Sequence, residues 1–191
     1  MLARGQNGSI KILERGPKYP DSLGLIYAAI TTFLGWKYCS DEGIVMGLAP
    51  LGNLDKKNKK KFDKYFKDII RKDKGIGYKI NRDWISYHYQ RDTWVSEKFL
   101  KTFGARRKKD SLITRRDKNL AASLQKRIEE IVLQNLKYIK NKYKINKICI
   151  AGGVGLNCSL NGKILDSKIF DKVFVQPASG DAGNSIGAVF C

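Results

Sequence analysis

The sequence predicts an α/β fold, and three features of the chain point to it. Long segments in both halves carry apolar residues at the 3.6-residue spacing of helices. Two short apolar runs, at residues 145–151 and 173–176, have the length and the β-branched content of strands. Each run ends in a turn of small residues that opens a further helix, and such alternation is typical of α/β proteins.

The first 35 residues are predicted to form a tail and one buried helix. Residues 1–18 are polar and interrupted by glycine, which predicts irregular structure. Asp21 or Ser22 can cap a helix that runs from about residue 23 to residue 34, and Gly35 ends it. Because this helix is apolar on nearly every side, we expect it to lie buried between other elements.

The middle of the chain predicts two further helices and some extended structure. Residues 41–52 are rich in Gly and Pro, which favours a loop or a short broken helix. Residues 56–72 place apolar side chains at helical spacing between lysines, so an amphipathic helix with its basic side in water is expected. Residues 75–95 alternate apolar and polar types, as short strands do, and residues 117–140 predict a long amphipathic helix.

The charge of the chain leaves two classes of function open. Its 191 residues carry a formal net charge of +19, with dense basic clusters at residues 56–74 and 106–116. Such clusters serve either as a nucleic-acid or phosphate surface or as solvated helix faces. The helical spacing of the apolar residues favours the solvated face in the first cluster, so a nucleic-acid partner is not expected.

The sequence also bears on the location of the protein. No run approaches the roughly 18 apolar residues of a membrane span. The first residues lack the apolar stretch of a signal peptide. We therefore expect a cytoplasmic protein without a membrane partner.

The cysteines and the histidine favour packing roles. Cys39, Cys149, Cys158 and Cys191 lack CxxC spacing, so we expect small core fillers rather than a zinc site or disulfides. His88, the only histidine, lies in an aromatic segment and is interpreted as a packing residue rather than a catalytic base.

The first Gly-rich turn, residues 152–157, directly follows the strand predicted at residues 145–151. Gly152 and Gly153 leave the backbone without Cβ atoms, and the amides at the start of a helix attract anions. Asn157 adds a polar side chain as the next helix begins. The turn matches neither the P-loop nor the GxGxxG pattern, so a phosphate-binding turn and a purely structural turn are equally compatible with it.

The second turn follows the strand predicted at residues 173–176. Asp181 comes after Gly180 and either caps the small-residue helix at residues 182–189 or ligates a cation beside phosphates. If the two strands are adjacent and parallel, both turns lie at one edge of the sheet. That arrangement favours a shared site for a nucleotide and a metal.

Taken in order, these motifs resemble the nodulation-protein and antibiotic-tailoring O-carbamoyltransferases. The resemblance is carried by residues 151–158, 161–163, 170–178 and 180–183, and upstream by residues 20–35, 45–52 and 119–125. It implies an actin-like ATPase (ribonuclease H-like) domain with a mixed sheet and flanking helices. The chain would be the C-terminal part of that core.

The resemblance also implies the chemistry and the site. ATP and carbamate, which comes from carbamoyl phosphate, would form a carbamoyl-adenylate, and the carbamoyl group would pass to a hydroxyl of a sugar or another small molecule. The implied nucleotide contacts are Gly152, Gly153, Val154, Asn157 and Gly180. Asp181 would ligate a divalent metal, iron or magnesium, beside the phosphates.

Several features depart from the family pattern. The family's other metal ligands, two histidines spaced HxxxH, and its carbamate-forming domain have no counterpart here. Asp21 and Ile44 stand where the family often has His and Lys. We therefore expect residues 1–191 to be a partial catalytic domain, inactive alone, either a fragment or a subunit that needs a separate chain carrying the N-terminal half. The alternatives are a basic nucleic-acid-binding module and a non-catalytic remnant of the family.

Overall fold

Helices and strands are interspersed along the chain, and they alternate one by one from residue 115 to residue 189. The computed structural model describes residues 1–52, 56–90 and 93–189, with the backbone alone at residues 56–59. The strands are β1 (Leu2–Gln6), β2 (Ser9–Glu14), β3 (Ile70–Lys72), β4 (Tyr78–Ile80), β5 (Lys147–Ile150) and β6 (Lys172–Val175). The helices are α1 (Leu23–Phe33), α2 (Glu42–Leu48), α3 (Lys56–Ile69), α4 (Glu97–Phe103), α5 (Arg115–Tyr143), α6 (Cys158–Asp166) and α7 (Asn184–Val189). The α/β class is confirmed.

Helix α5 is the scaffold of the molecule. It begins two residues before its predicted start because Thr114 and Asp117 form a capping box, in which each side chain bonds the other residue's backbone amide. It ends at Lys144, which adopts a left-handed conformation with φ of 53°. Most of its apolar stripe is buried, and the helix contacts α1, α2, α3 and α6. The other elements are therefore positioned relative to this helix.

Helix α1 is buried as predicted, and its cap is Ser22 rather than Asp21. The amide of Leu25 donates to Ser22 Oγ at 3.2 Å. Asp21 instead accepts from the amide of Ile80 at 2.7 Å and from Arg82 at 2.6 Å, which ties the entry of α1 to β4.

The second basic cluster caps the other end of α1. Arg106 donates through Nε to the carbonyl of Thr32 at 2.7 Å, and Arg107 donates through Nε to the carbonyl of Leu34 at 2.6 Å. Arg107 is only 7% exposed, and its guanidinium lies 4.4 Å from the centre of the Trp36 ring. Arg107 satisfies the carbonyl of Leu34, and Arg106 adds a second hydrogen bond to the Thr32 carbonyl, which also accepts from the amide of Gly35 at 3.0 Å. The guanidinium groups of these two arginines therefore stabilise the end of α1.

The prediction of a tail at residues 1–18 is wrong, because β1 and β2 form an antiparallel hairpin there. Asn7 and Gly8 both have positive φ, 50° and 73°, as a two-residue type I′ turn requires. Glu14, at the end of the hairpin, accepts from the Tyr138 hydroxyl at 3.0 Å and from Lys142 at 2.8 Å. The hairpin is thereby anchored to α5.

The prediction of a mixed sheet is wrong, because the strands in the described part of the chain form three separate pairs. The pairs β1–β2 and β3–β4 are antiparallel, and β5–β6 is parallel. The two strands of each pair are joined by a short connection. These connections are the Asn7-Gly8 turn, the turn at residues 73–77 and the crossover through α6. The side chains of β5 alternate between exposed and half-buried.

The three cysteines in the described part of the chain are not core fillers. Cys39, Cys149 and Cys158 are all exposed free thiols, and Cys191 lies outside the described residues. In β5 the two-residue alternation turns Ile148 and Ile150 inward, so Cys149 faces outward.

The amphipathic character of α3 is confirmed where its side chains are described. Phe66 and Ile69 are fully buried, while Lys60, Lys64 and Lys67 are exposed. The lysines at positions 56, 57 and 59 have side chains outside the described set. None of the helices in the described ranges has both the length and the apolar character that crossing a membrane demands.

Candidate nucleotide site

The parallel pair β5–β6 brings the two predicted turns to one edge of the sheet. Lys147 pairs with Lys172 at one end and Ile150 with Val175 at the other, so both strands reach their carboxyl ends together. The amide of Gly152, in the first turn, donates to the carbonyl of Ser179, in the second, at 2.7 Å. The predicted juxtaposition of the turns is therefore confirmed.

The first turn offers open backbone. Gly152 has a φ of 105°, which favours glycine, and Gly153–Leu156 form a 3₁₀ turn. A Cβ added at Gly152 or at Gly153 would have no atom within 4 Å. Packing within the described residues therefore does not demand glycine at Gly153, and the exposed backbone leaves room for a ligand. Val154, next in the turn, is half-buried.

The two turns pack closely behind this open face. A Cβ on the buried Gly155 would lie 2.8 Å from Ser179 Oγ, so the first turn rests on that serine. Gly180 lies against the first turn as well, since a Cβ there would be 3.9 Å from the Cα of Gly153. Ser179 is 6% exposed, and its hydroxyl has no hydrogen-bond partner among the described residues.

Asn157 holds the start of α6. Its Oδ1 accepts from the amide of Leu160 at 2.9 Å, the geometry of a helix N-cap. Its Nδ2 donates to Oε1 of Gln125 at 2.8 Å. Both ends of the amide are thus occupied by the protein, and the nucleotide contact assigned to Asn157 stays a prediction.

Gln125 is the residue of this region to which sequence reasoning assigned no role. It is 5% exposed and lies on α5, one residue after the buried Leu124. The sequence offered one signal, a polar residue among the apolar positions of a helix predicted to pack into the core. A buried amide requires hydrogen-bond partners, so such a residue indicates a buried polar contact.

Asp181 begins a 3₁₀ turn, Asp181–Gly183, that leads into α7. Its side chain is exposed, and within the described ranges its carboxylate makes no hydrogen bond or ion pair. The capping role is therefore not observed. A Cβ on Gly183 would lie less than 3.0 Å from the carbonyl oxygen of Ala178, so this glycine is required by the close fold of the turn.

A metal centre built from protein side chains alone does not fit the described residues. They contain no cluster of three or more His, Cys, Asp or Glu side chains. His88 packs edge-on against Tyr89, with ring centres 4.7 Å apart, and burial together with the Arg82 charge lowers its pKa. A magnesium ion carried by nucleotide phosphates needs only one or two carboxylates from the protein. Asp181 can supply one.

An apolar cavity of about 260 Å³ lies beside the first turn, between α1, α5 and α6. Its walls include Gly24, Tyr78, Val132, Ile150, Val154 and Leu160. The phenol of Tyr78 is largely buried, which raises its pKa and keeps the hydroxyl protonated. The site thus combines open backbone, a carboxylate and an adjoining apolar hollow.

Comparison with known proteins identifies the family of the chain. A sequence model of the carbamoyltransferase N-terminus matches residues 4–190. Nodulation protein NolO of Bradyrhizobium diazoefficiens is 36% identical over 190 residues, which are 98% of this chain and 31% of the relative. Nodulation protein NolNO of Sinorhizobium fredii is 38% identical over 188 residues, 98% of this chain and 25% of the relative.

A third relative is an uncharacterized protein of Synechocystis sp., 36% identical over 171 residues, which are 89% of this chain and 27% of that protein. The chain therefore spans less than a third of each of these relatives. The match to the family model covers nearly every residue, including both turns. On this evidence the chain belongs to the carbamoyltransferase family, within the region described as its N-terminus.

Proposed function

We propose that this chain supplies the nucleotide-binding edge of an ATP-dependent carbamoyltransferase. The observation that carries the proposal is the hydrogen bond between Gly152 and Ser179, which joins two turns at the carboxyl ends of parallel strands. Ligands of open α/β sheets commonly bind outside the carboxyl ends of the strands. Membership of the carbamoyltransferase family supports ATP as the nucleotide.

The first turn is suited to the phosphates. Gly152 and Gly153 present backbone without Cβ atoms, and the space in front of them is open. Amides in such a turn bind anions without the energetic cost of moving side chains. Val154 and the apolar cavity beside it would then accommodate a less polar part of the nucleotide.

The second turn is suited to a cation that accompanies the phosphates. The exposed carboxylate of Asp181 is uncommitted within the described residues, and Gly180 packs beside Gly153. When bound, magnesium would supply charge neutralisation at the phosphates. The role of Asp181 is to hold the ion at the edge where both turns meet.

The proposed reaction has two steps after carbamoyl phosphate has been converted into carbamate and phosphate. A carbamate oxygen attacks the α-phosphorus of ATP, and pyrophosphate leaves as carbamoyl-adenylate forms. The hydroxyl of a sugar or other small molecule then attacks the carbamoyl carbon and loses its proton, and AMP leaves. Gly152, Gly153 and Asp181 are assigned to binding in the first step. No residue of this chain is assigned to carbamate formation.

Isothermal calorimetry with magnesium ATP tests the assignment of Asp181. We expect Asp181→Asn to weaken magnesium ATP binding about tenfold or more, because the change removes the charge that holds the ion. Binding of ATP in the presence of a chelator should change little, since the backbone contacts of the first turn are preserved.

Asp171→Asn is the matched control, because this exposed aspartate precedes β6 at the opposite edge of the sheet. It makes the same change in net charge and should leave the affinity as it is. Equal affinities of the wild type and Asp181→Asn would remove Asp181 from the metal site. If the wild-type chain bound no ATP with or without magnesium, the proposed function itself would be wrong.

A further inference from the structure

A buried hydrogen-bonded network lies behind the first turn and connects three helices. Tyr27 of α1 donates to Oε1 of Gln125 at 3.1 Å. Gln125 and Asn157 form a reciprocal amide pair, with Nε2 to Oδ1 at 3.0 Å and Nδ2 to Oε1 at 2.8 Å. Gln125 Nε2 also donates to Glu129 Oε1 at 2.8 Å, and the other oxygen of Glu129 accepts from Lys163 of α6.

Gln125 lies at the centre of the network with its full hydrogen-bonding capacity used. Its oxygen accepts two hydrogen bonds and its nitrogen donates two. Gln125 is 5% exposed and Glu129 is 4% exposed. Because water does not reach these groups, the loss of one partner would leave a buried polar group unsatisfied, which costs free energy. A fully satisfied buried network of this kind holds its members in one arrangement.

The hydrogen bonds of the network also determine which way the side-chain amides of Gln125 and Asn157 point. The Glu129 carboxylate, paired with the Lys163 ammonium, can only accept, so it draws the NH₂ end of the Gln125 amide toward itself. The buried Tyr27 hydroxyl has a raised pKa and donates, which requires the oxygen of Gln125 on the opposite side. With Gln125 fixed from both sides, Asn157 has a single matching orientation, in which its own oxygen caps α6.

From this geometry we infer that Gln125 is a positioning residue for the nucleotide turn. It fixes Asn157, and Asn157 fixes the junction between the 3₁₀ turn Gly153–Leu156 and α6. Asn161, one turn along α6, donates to the carbonyl of Gly155 at 2.7 Å. This hydrogen bond ties the 3₁₀ turn to α6, so the turn is held where the start of α6 is held. Gln125 itself does not touch the ligand. The effect on ATP affinity rests on the proposed function, whereas the effect on the turn does not.

Gln125→Glu is the most informative change, because it preserves shape and replaces the two donors by an acceptor. The new carboxylate would face Glu129 Oε1 at the present 2.8 Å and Asn157 Oδ1 at 3.0 Å, and both contacts become repulsive. We expect magnesium ATP affinity to fall about tenfold or more, as is common when the supporting partners of a site are lost. Amide hydrogen exchange at residues 152–160 should accelerate.

Two further variants separate positioning from general destabilisation. Tyr27→Phe removes one hydrogen bond to Gln125 and leaves the amide pair with Asn157 intact. It should lower the melting temperature, and because Glu129 still orients the Gln125 amide, we expect it to reduce ATP affinity and exchange protection in the turn much less than Gln125→Glu does. The double variant Gln125→Glu with Glu129→Gln restores a donor opposite position 125 but leaves the repulsion at Asn157 Oδ1, so we expect it to recover part of the ATP affinity and part of the exchange protection that Gln125→Glu loses.

The outcomes distinguish this inference from the proposed function. If the wild type binds no ATP but Gln125→Glu still accelerates exchange at residues 152–160, the positioning role holds and the nucleotide assignment fails. If Tyr27→Phe and Gln125→Glu lower ATP affinity and exchange protection equally, Gln125 has no specific role. The inference is also wrong if the double variant is no better than Gln125→Glu in both measurements.

Discussion

Gly52→Ala is expected to destabilise the fold by about 3 kcal/mol or more, because no space exists for a methyl group there. Gly52 follows the 3₁₀ turn Ala49–Leu51, where the chain passes directly over α5. A Cβ at this position would lie less than 3.0 Å from the carbonyl oxygen of Lys118 and 2.8 Å from the Cβ of Ala122. The Lys118 carbonyl is part of a helix backbone and cannot rotate away as a side chain would.

Gly47→Ala provides the control for this prediction. Gly47 is exposed in the last turn of α2, which continues into the 3₁₀ turn Ala49–Leu51, and a Cβ there would meet no atom within 4 Å. Alanine should therefore stabilise the protein by roughly 0.5–1 kcal/mol through helix propensity. Urea denaturation of the two variants and the wild type measures both effects. A Gly52→Ala protein within 1 kcal/mol of the wild type would contradict the close approach of the turn to α5.

Asp117→Asn is expected to cost about 2 kcal/mol, since hydrogen bonds to a charged group are among the stronger ones. The Asp117 side chain is fully buried. One oxygen accepts from the amide and the hydroxyl of Thr114 at 2.9 and 2.7 Å, and the other accepts from Arg116 at 2.8 and 3.0 Å. The amide of asparagine keeps one acceptor and turns its NH₂ toward a cation.

The same carboxylate makes part of the stability depend on pH. Burial by itself would raise the pKa of Asp117, but the Thr114 hydrogen bonds and the Arg116 charge outweigh it and hold the pKa below its ordinary value. Its contribution is therefore complete above about pH 4, the ordinary range of an aspartate, and is lost as the pH falls through the lowered folded pKa. The stabilities of wild type and Asp117→Asn should converge in that acidic range.

Glu97→Gln is the matched control for Asp117→Asn. Glu97 also lies in the first turn of a helix and pairs with Lys101 at 3.5 Å, but both side chains are at least 79% exposed. Its replacement should change the free energy of unfolding by less than about 0.5 kcal/mol. If Asp117→Asn had an equally small effect, the buried capping box would not be the anchor of α5.

The sequence was most informative where periodicity alone determines structure. The apolar stripes of α1 and α5 and the strand-to-turn transitions at Gly152 and Gly180 have their predicted places. The hairpin at residues 1–18 was missed although Asn7-Gly8 is a strong turn signal. The flanking strands are largely exposed, β1 has no apolar alternation, and in β2 only Ile10, Lys11 and Ile12 alternate.

The site was predictable in outline only. Adjacent strands and glycine spacing indicate that the turns meet, but they do not reveal that Asn157 is held by Gln125, 32 residues earlier. That pairing depends on the packing of α5 against α6, a tertiary property without a local signature. The exposure of Cys149 was missed because small apolar residues in short strands are compatible with either face, and Cys158 is exposed at the first residue of α6.

Two of the three exposed thiols in the described part of the chain, those of Cys149 and Cys158, offer an intrinsic means of observing the first turn. Cys149 lies three residues before Gly152, and Cys158 directly follows Asn157, so together they bracket the turn along the chain. With Cys39 and Cys191 replaced by serine, a fluorophore on either remaining cysteine would report on the turn from a native position. Fluorescence would then measure ligand occupancy and the mobility of the turn, and no cysteine would have to be introduced for labelling.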